Sequence, residues 1–307
     1  MTTLTTEAAW EQLPSLPVPS GNFVCGTVGN DIVIAGGITW KNDTKIWLDD
    51  IRRFDTKKKI WSNVGKLPQP LAYAAVGQTA KEIYFSGGSD GKMTSSDFCS
   101  LDSNLMFQKR GNVSSPRVYA ATAISGSKLF VIAGGGDVVD LKTLTNTFYS
   151  VDLATGKTEA LLDFPGGNFI VPTATAIDGK IFVFTGATFD AEKSQANNSD
   201  AAFVYSIPEA KWSALKSFPY TVRGLTSCVL DERHIFLAGG YRQDFTDEAF
   251  VYDTKKDSYS KTTSLPYRGM VSLIKVGDHV YCFGGEDKMR HRSDLVYRIA
   301  WKELLKK

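Results

Sequence analysis

Six short apolar runs that end in glycine recur along the chain and set its hydrophobic pattern. They are IVIAGG (32–37), IYFSGG (83–88), FVIAGGG (130–136), FVFTGA (182–187), IFLAGG (235–240) and VYCFGG (280–285). Their first glycines are separated by 51, 47, 52, 53 and 45 residues. Each run is too short for a helix and too apolar for a strand with one face in water. The pattern therefore predicts six inner β-strands that are packed on both faces.

The segments between these runs repeat in the same phase. An aromatic or aliphatic segment, often ending in aspartate, follows each glycine pair, as in RRFD, CSLD and YSVD. An outer-strand aromatic residue comes next at Trp61, Phe107, Trp212 and Tyr259. A period near 50 residues with glycine doublets resembles the kelch repeat, in which each unit forms one four-stranded propeller blade. The sequence thus predicts an all-β fold, a six-bladed kelch β-propeller.

The N-terminal segment AAWEQLPSLP has the pattern of an outer strand but no glycine pair before it. Trp10 precedes Trp61 by 51 residues, the same step that separates the first two glycine pairs. We therefore predict that residues 7–13 complete the last blade, which residues 268–298 begin. This pairing would remove open sheet edges and close the ring. Residues 1–307 are accordingly predicted to form a single domain.

Composition narrows the classes of function. The formal net charge of +2 argues against a nucleic-acid partner, because phosphate binding needs a broad basic surface. No stretch approaches the ~20 apolar residues of a membrane helix. The four cysteines are dispersed, which indicates buried apolar residues, so we predict neither a metal nor a cofactor. MTTLTTEAAWEQLP lacks a basic leader and an apolar region. The compartment stays open between bacterial periplasm and cytoplasm, and we expect a monomer or a weak homodimer.

One charged pair does not belong to the repeat. In FGGEDKMRHRSD, Glu286 directly follows a glycine pair and Arg292 comes six residues later. The other copies have neither a glutamate nor an arginine at the corresponding positions. Residues that repeat in every blade are architectural. These two residues do not repeat, so the architecture of the blades does not account for them. Their position alone leaves two explanations open, a surface salt bridge and a functional pair.

Further candidates lie where loops converge on one end of a propeller channel. Arg223 in TVRGLTS and Arg268 in PYRGMVS open the inner strands of blades five and six, and Arg117 opens that of blade three. Guanidinium groups at this end could bind a carboxylate through paired hydrogen bonds. Three loop residues are expected to line the same pocket: Trp40, Tyr241 and Arg242. His291 is a candidate acid, because histidine titrates near neutral pH.

The stretch GGEDKMRHRSDLV resembles a segment of the bacterial N-acetylneuraminate (sialic acid) mutarotases, also called epimerases. The resemblance implies that Glu286 accepts a proton and that Arg292 lies in the same pocket. The segment lies in the last blade rather than in a middle one, and this position resembles that in the group described as cyclically permuted mutarotases. The stretch GGITWKNDTKIWLDDIRRFD also resembles that group. The resemblance implies that the protein is an isomerase, which interconverts the anomers of N-acetylneuraminate or a related 2-keto sugar acid by acid/base ring opening.

An alternative from another class is a non-catalytic kelch module that binds an acidic peptide at the same face. Arginines at strand starts would then contact acidic side chains, and Glu286 would pair with a basic group. We favour the enzyme because the blades account for nearly the whole sequence and no assembly domain is apparent. A copper-radical oxidase is discounted, since it needs clustered histidine and tyrosine ligands and the chain has three histidines.

Overall fold

The computed structural model describes residues 9–306, which form six four-stranded antiparallel sheets arranged as the blades of a β-propeller. The predicted fold class is confirmed. The strands of each blade are given from the innermost outwards. Blade 1 contains Val24–Val28, Asp31–Ala35, Asp50–Asp55 and Ile60–Lys66. Blade 2 contains Ala75–Gln78, Ile83–Ser86, Asp97–Leu101 and Phe107–Asn112. Blade 3 contains Ala121–Ser125, Lys128–Ile132, Phe148–Asp152 and Thr158–Ala160.

The second half of the ring repeats this order, with long strands in blade 4 and a strand from the N-terminus in blade 6. Blade 4 contains Thr173–Ile177, Lys180–Asp190, Gln195–Ser206 and Lys211–Ala214. Blade 5 contains Thr226–Val229, His234–Ala238, Ala249–Asp253 and Ser258–Lys261. Blade 6 contains Met270–Val276, His279–Glu286, Val296–Ala300 and Glu11–Leu13. An additional hairpin in blade 1 has the strands Ile38–Lys41 and Thr44–Trp47. Two short 3-10 helices span Leu141–Thr143 and Trp301–Leu305.

The N-terminal strand closes the ring as predicted. Glu11–Leu13 pairs antiparallel with Val296–Ala300, so the last blade combines the two ends of the described chain. The Glu11 carboxylate lies 2.6 Å from Arg298 Nε and 2.5 Å from Lys59 Nζ in blade 1. The predicted closing segment began at residue 7, and residues 7 and 8 lie outside the described residues. The single domain over residues 1–307 stays a prediction.

The apolar core is divided into six clusters, each between two neighbouring blades. Phe148 of blade 3 packs with Ile181 and Trp212 of blade 4, for example. The cluster that closes the ring joins Phe283 of blade 6 to Ile34 of blade 1. Because every blade buries both faces against its neighbours, its second strand must be apolar throughout. This explains the glycine-terminated runs in the sequence. Within residues 9–306, no helix is long and apolar enough to cross a membrane.

Two consecutive residues with left-handed backbone follow the apolar run of each second strand. In blades 1, 2, 5 and 6 both are glycines, as at Gly36 (φ 67°) and Gly37 (φ 98°). In blades 3 and 4 the first position is taken by Ala133 (φ 57°) and Thr185 (φ 53°), so the glycine runs there are offset by one residue. The kink turns the chain back towards the start of the inner strands. The residue after the pair therefore lies at one end of the central channel, which we call the mouth.

We expect Gly36→Ala to destabilise the fold much more than Gly29→Ala. Both glycines have positive φ, so alanine costs ~1–2 kcal/mol of backbone strain at either position. A Cβ at Gly36 would also clash with the Leu71 carbonyl oxygen, whereas nothing lies within 4 Å of one at Gly29. Overpacking adds ~1–3 kcal/mol at Gly36. Urea denaturation followed by circular dichroism measures the difference, and equal midpoints would contradict the architectural role of the pair.

Candidate functional site

Glu286 lies at the mouth of the central channel. It follows the left-handed pair Gly284 (φ 58°) and Gly285 (φ 86°) and pairs with Met270, the first residue of the inner strand of blade 6. In the other five blades, the residue after the pair makes the same kind of bridge to the segment that opens the inner strand. These residues are Ile38, Ser89, Gly135, Ala187 and Tyr241. Only blade 6 thus has a carboxylate at this point of the ring.

Arg292 is buried against Glu286. Its side chain is 4% exposed, and its Nη1 lies 3.2 Å from Oε1 of Glu286, which is 30% exposed. The Arg292 Nη1 also donates to the His291 carbonyl oxygen at 3.0 Å. A Cβ at Gly21 would come within 3.3 Å of the Arg292 Cδ, so the glycine leaves room for the arginine stem. The arginine is held in place while the glutamate keeps access to the channel mouth.

Two tyrosines extend this pair around the mouth. Tyr73 and Tyr119 open the inner strands of blades 2 and 3, each with φ of 62°, and their ring centroids are 4.6 Å apart. The Tyr119 hydroxyl donates to the Val138 carbonyl oxygen at 3.0 Å. Burial raises the pKa of Tyr73, while the charge of Arg292 opposes that increase. Burial also raises the pKa of Tyr119. Both phenols therefore keep their protons at neutral pH.

The hydrophobic pattern does not single out these two tyrosines, although the repeat contains a signal for them. In LAYAAVG and RVYAATA, each tyrosine comes one residue after the position that Arg223 occupies in blade 5. Positive φ recurs at this position in blades 1, 4 and 5, at Asn22, Val171 and Gly224, so the conformation belongs to the repeat and only the tyrosine side chains are particular to blades 2 and 3. The repeat alignment of inner-strand starts would have placed both tyrosines at the mouth.

The additional hairpin of blade 1 brings Lys45 to the same place. Its Nζ lies 5.5 Å from the ring centroid of Trp40 and 5.7 Å from those of Trp47 and Tyr73. Burial lowers the pKa of Lys45, as does the charge of Arg292, and the charge of Glu286 opposes both. The predicted pocket residue Trp40 is thus in this cluster, and its buried Nε1 has no hydrogen-bond partner within residues 9–306.

Three predicted arginines lie together in a neighbouring cleft of about 690 Å³ between blades 4 and 5. The Arg223 guanidinium stacks on Tyr241 at 4.3 Å and donates to Asn198 Oδ1 at 2.7 Å. Arg242 stacks on a tyrosine ring and lies 3.4 Å from the Glu248 carboxylate. The exposed Arg268 forms no salt bridge with any described residue. The structure therefore brings Arg223, Tyr241, Arg242 and Arg268 to one surface.

Arg223 links this cleft to the mouth. Burial lowers its pKa, and the nearby Tyr241 and Glu286 oppose that shift. Glu286 is therefore close enough to act on Arg223 as well as on Arg292 and Lys45. One carboxylate with three cations around it leaves an excess of positive charge. The mouth thus favours an anionic ligand.

Arg117 is not brought to this cluster. Its Nη2 donates to Thr147 Oγ1 at 2.8 Å and its Nη1 to the Pro116 carbonyl oxygen, both in the same blade. Val118, not Arg117, makes the bridge that corresponds to that of Arg223. Successive side chains of an extended strand point to opposite sides, so a shift of one residue turns Arg117 into blade 3. The contacts assign it a packing role.

His291 pairs with a carboxylate other than that of Glu286. Its side chain is 55% exposed, and its Nδ1 lies 2.5 Å from Oδ1 of Asp287. Its partner is therefore the neighbouring acid of the same loop. Within residues 9–306, no group of three His, Cys, Asp or Glu side chains is placed to hold a metal ion.

Six blades with left-handed pairs at one mouth define a propeller of kelch repeats. A family model described as the KLHDC2/KLHL20/DRC7 Kelch-repeats domain matches residues 106–285, and a Kelch motif model matches residues 19–68. The chain belongs to the kelch-repeat family.

Its relatives include proteins named as Kelch-like proteins and proteins named as N-acetylneuraminate epimerases. Mouse Kelch-like protein 40 is 28% identical over 252 residues, which cover 78% of this chain and 38% of that protein. N-acetylneuraminate epimerase 1 of Escherichia coli O6:H1 is 24% identical over 261 residues, covering 78% of this chain and 62% of the epimerase. The Pasteurella multocida N-acetylneuraminate epimerase is 29% identical over 133 residues, which cover 42% of this chain and 33% of that epimerase. The chain spans less than two thirds of the length of each of these relatives.

Proposed function

We propose that this protein is a mutarotase, an isomerase that interconverts the α and β anomers of N-acetylneuraminate or a related 2-keto sugar acid. The observation that carries the proposal is the Glu286–Arg292 pair at the channel mouth, with the carboxylate partly open and the guanidinium buried. Lys45 and Arg223 add positive charge beside it. The epimerase relatives support the same substrate class.

The proposed chemistry uses Glu286 as a base and the cations as anchors. The substrate has its own carboxylate beside the anomeric carbon, and Arg292, with Lys45 and Arg223, holds that anion. Glu286 takes the proton of the anomeric hydroxyl, which requires about 2.6–3.2 Å between the two oxygens. The ring opens, the exposed keto carbon rotates, and reclosure on the other face gives the second anomer. No cofactor enters this scheme.

Proton NMR of freshly dissolved N-acetylneuraminate tests the proposal. The anomeric composition relaxes to equilibrium spontaneously, so the measurement is the relaxation rate with and without protein at matched pH. We expect a rate increase proportional to protein concentration. No increase with N-acetylneuraminate or with other 2-keto sugar acids would exclude the mutarotase function.

A second candidate function is binding of an acidic peptide, and the cleft of Arg223, Arg242 and Arg268 favours it. Arg268 is exposed without an ion-pair partner in the described chain, and the mouse relative is a kelch-like protein. Fluorescence anisotropy with a labelled glutamate-rich peptide would measure this binding. Arg268→Glu should abolish the binding if the cleft is the site, whereas an equal affinity of wild type and variant would exclude it.

A further inference from the structure

We infer that Tyr73 is the general acid of the proposed reaction and protonates the ring oxygen of the sugar acid as the ring opens. The inference rests on the proposed function. It assigns the step that Glu286 leaves unfilled, because opening a hemiketal needs a proton donor at the ring oxygen as well as a base at the anomeric hydroxyl.

The position of Tyr73 carries the inference. Its ring packs edge-on against two others at the mouth, with centroid distances of 4.6 Å to Tyr119 and 5.7 Å to Trp47. The Lys45 Nζ lies over the same ring, 5.7 Å from its centroid. The charges of both Arg292 and Glu286 act on its hydroxyl. A substrate bound against this pair would have the phenol beside it.

The neighbouring groups fix the direction of proton transfer. Tyr119 donates its proton to the Val138 carbonyl oxygen, so it has no proton left to offer a ligand. Arg292 has only N–H donors and can offer the Tyr73 oxygen a hydrogen bond but accept none. Among these three groups, Tyr73 is thus the one whose proton is available to a ligand. A phenolate formed there would be stabilised by the adjacent guanidinium.

The other proton donors near the mouth fit less well. His291 is directed at Asp287 and is largely exposed. The Lys45 ammonium lies over the rings of Trp40, Trp47 and Tyr73 and supplies positive charge for the substrate carboxylate. Tyr119 commits its proton to a backbone carbonyl.

The step balances without an added reactant. The anomeric O–H proton moves to Glu286, its electron pair forms the C=O bond, and the bond from the anomeric carbon to the ring oxygen breaks. The ring oxygen takes the Tyr73 proton and becomes a hydroxyl. After rotation, that hydroxyl attacks the other face of the carbonyl and returns its proton to the Tyr73 phenolate. Glu286 returns its proton to the new anomeric oxygen.

The experiment compares Tyr73→Phe with wild type by the NMR assay, using Tyr149→Phe as a matched control. Tyr149 is a buried tyrosine of blade 3 whose hydroxyl has no partner in the described chain. We expect Tyr73→Phe to lower kcat about 100-fold or more with little change in KM, because general acid catalysis contributes ~10²–10⁴-fold. Tyr149→Phe should retain wild-type kinetics. Circular dichroism melting curves of the two variants show whether both fold.

A pH profile separates an acid from a structural residue. The acid acts only while protonated, so the catalysed rate should fall as pH rises through the raised pKa of Tyr73. Replacing Tyr73 with 3,5-difluorotyrosine, a more acidic phenol, should move this alkaline limb to lower pH. If the alkaline limb of the pH profile does not move, or if Tyr73→Phe keeps the wild-type kcat, the role of Tyr73 is overturned while the mutarotase function stands. A wild-type protein without any rate enhancement overturns both.

Discussion

Glu286→Gln is expected to remove most of the catalysed anomer exchange while the protein stays folded. Glutamine keeps the length of glutamate and can still accept a hydrogen bond from Arg292, whose Nη1 lies 3.2 Å from the carboxylate. An amide oxygen, however, is too weak a base to take a hydroxyl proton near neutral pH. Removal of a general base costs about 10²–10⁴-fold in rate. The measurement is kcat from the NMR relaxation rates at saturating N-acetylneuraminate.

Asp287→Asn is the matched control for this variant. The Asp287 carboxylate is the next one along the chain and faces His291 instead of the mouth. Its loss changes the net charge by the same amount as Glu286→Gln, so both variants have the same long-range electrostatic effect. We expect wild-type kcat in Asp287→Asn. An equal loss in both variants, or none in Glu286→Gln, would contradict the role of Glu286 as the base.

The sequence predicts the fold because the propeller repeats one local requirement six times. Each second strand is buried on both faces and its apolar run is followed by a left-handed pair, so an apolar run followed by at least one glycine recurs in every blade. The offset in blades 3 and 4 could not be predicted in this way. Ala133 and Thr185 adopt positive φ without being glycines, since the surrounding sheet holds them there.

The site is only partly predictable for the same reason. Glu286 and Arg292 were identifiable because they break the repeat, and the structure places them in direct contact. Arg117 was assigned to the pocket by its position at a strand start, but a shift of one residue directs it into blade 3. Strand alternation makes such a one-residue error decisive.

Lys45 escaped prediction for a different physical reason. It belongs to the hairpin that follows the glycine pair of blade 1, and the loops at this place differ in length and sequence from blade to blade, so the repeat offers no direct counterpart to compare. Its side chain lies over Trp40 and Trp47 of the same hairpin and over Tyr73, which opens the inner strand of the neighbouring blade. Packing between neighbouring blades brings these residues together, whereas a repeat pattern shows only the features that the blades share.

Arg292→Lys is expected to weaken substrate binding strongly and to lower kcat less. Lysine keeps the charge but loses the planar pair of donors that matches a carboxylate. Hydrogen bonds to charged groups contribute ~1.5–3 kcal/mol, so KM should rise about 10- to 100-fold. Because Arg292 is almost fully buried and also contacts Glu286, the shorter head group should leave the base less well oriented. Saturation curves from the NMR assay separate the two effects.

Arg290→Lys provides the comparison two residues away. Arg290 is exposed, and its nearest ion-pair partner is Asp43 of the blade 1 hairpin at 3.7 Å. An exposed pair of this length contributes little, so KM should remain near the wild-type value. If Arg292→Lys and Arg290→Lys gave the same saturation curve, the buried guanidinium would not be the anchor. Arg223 and Lys45, the other cations beside Glu286, would then have to hold the substrate carboxylate.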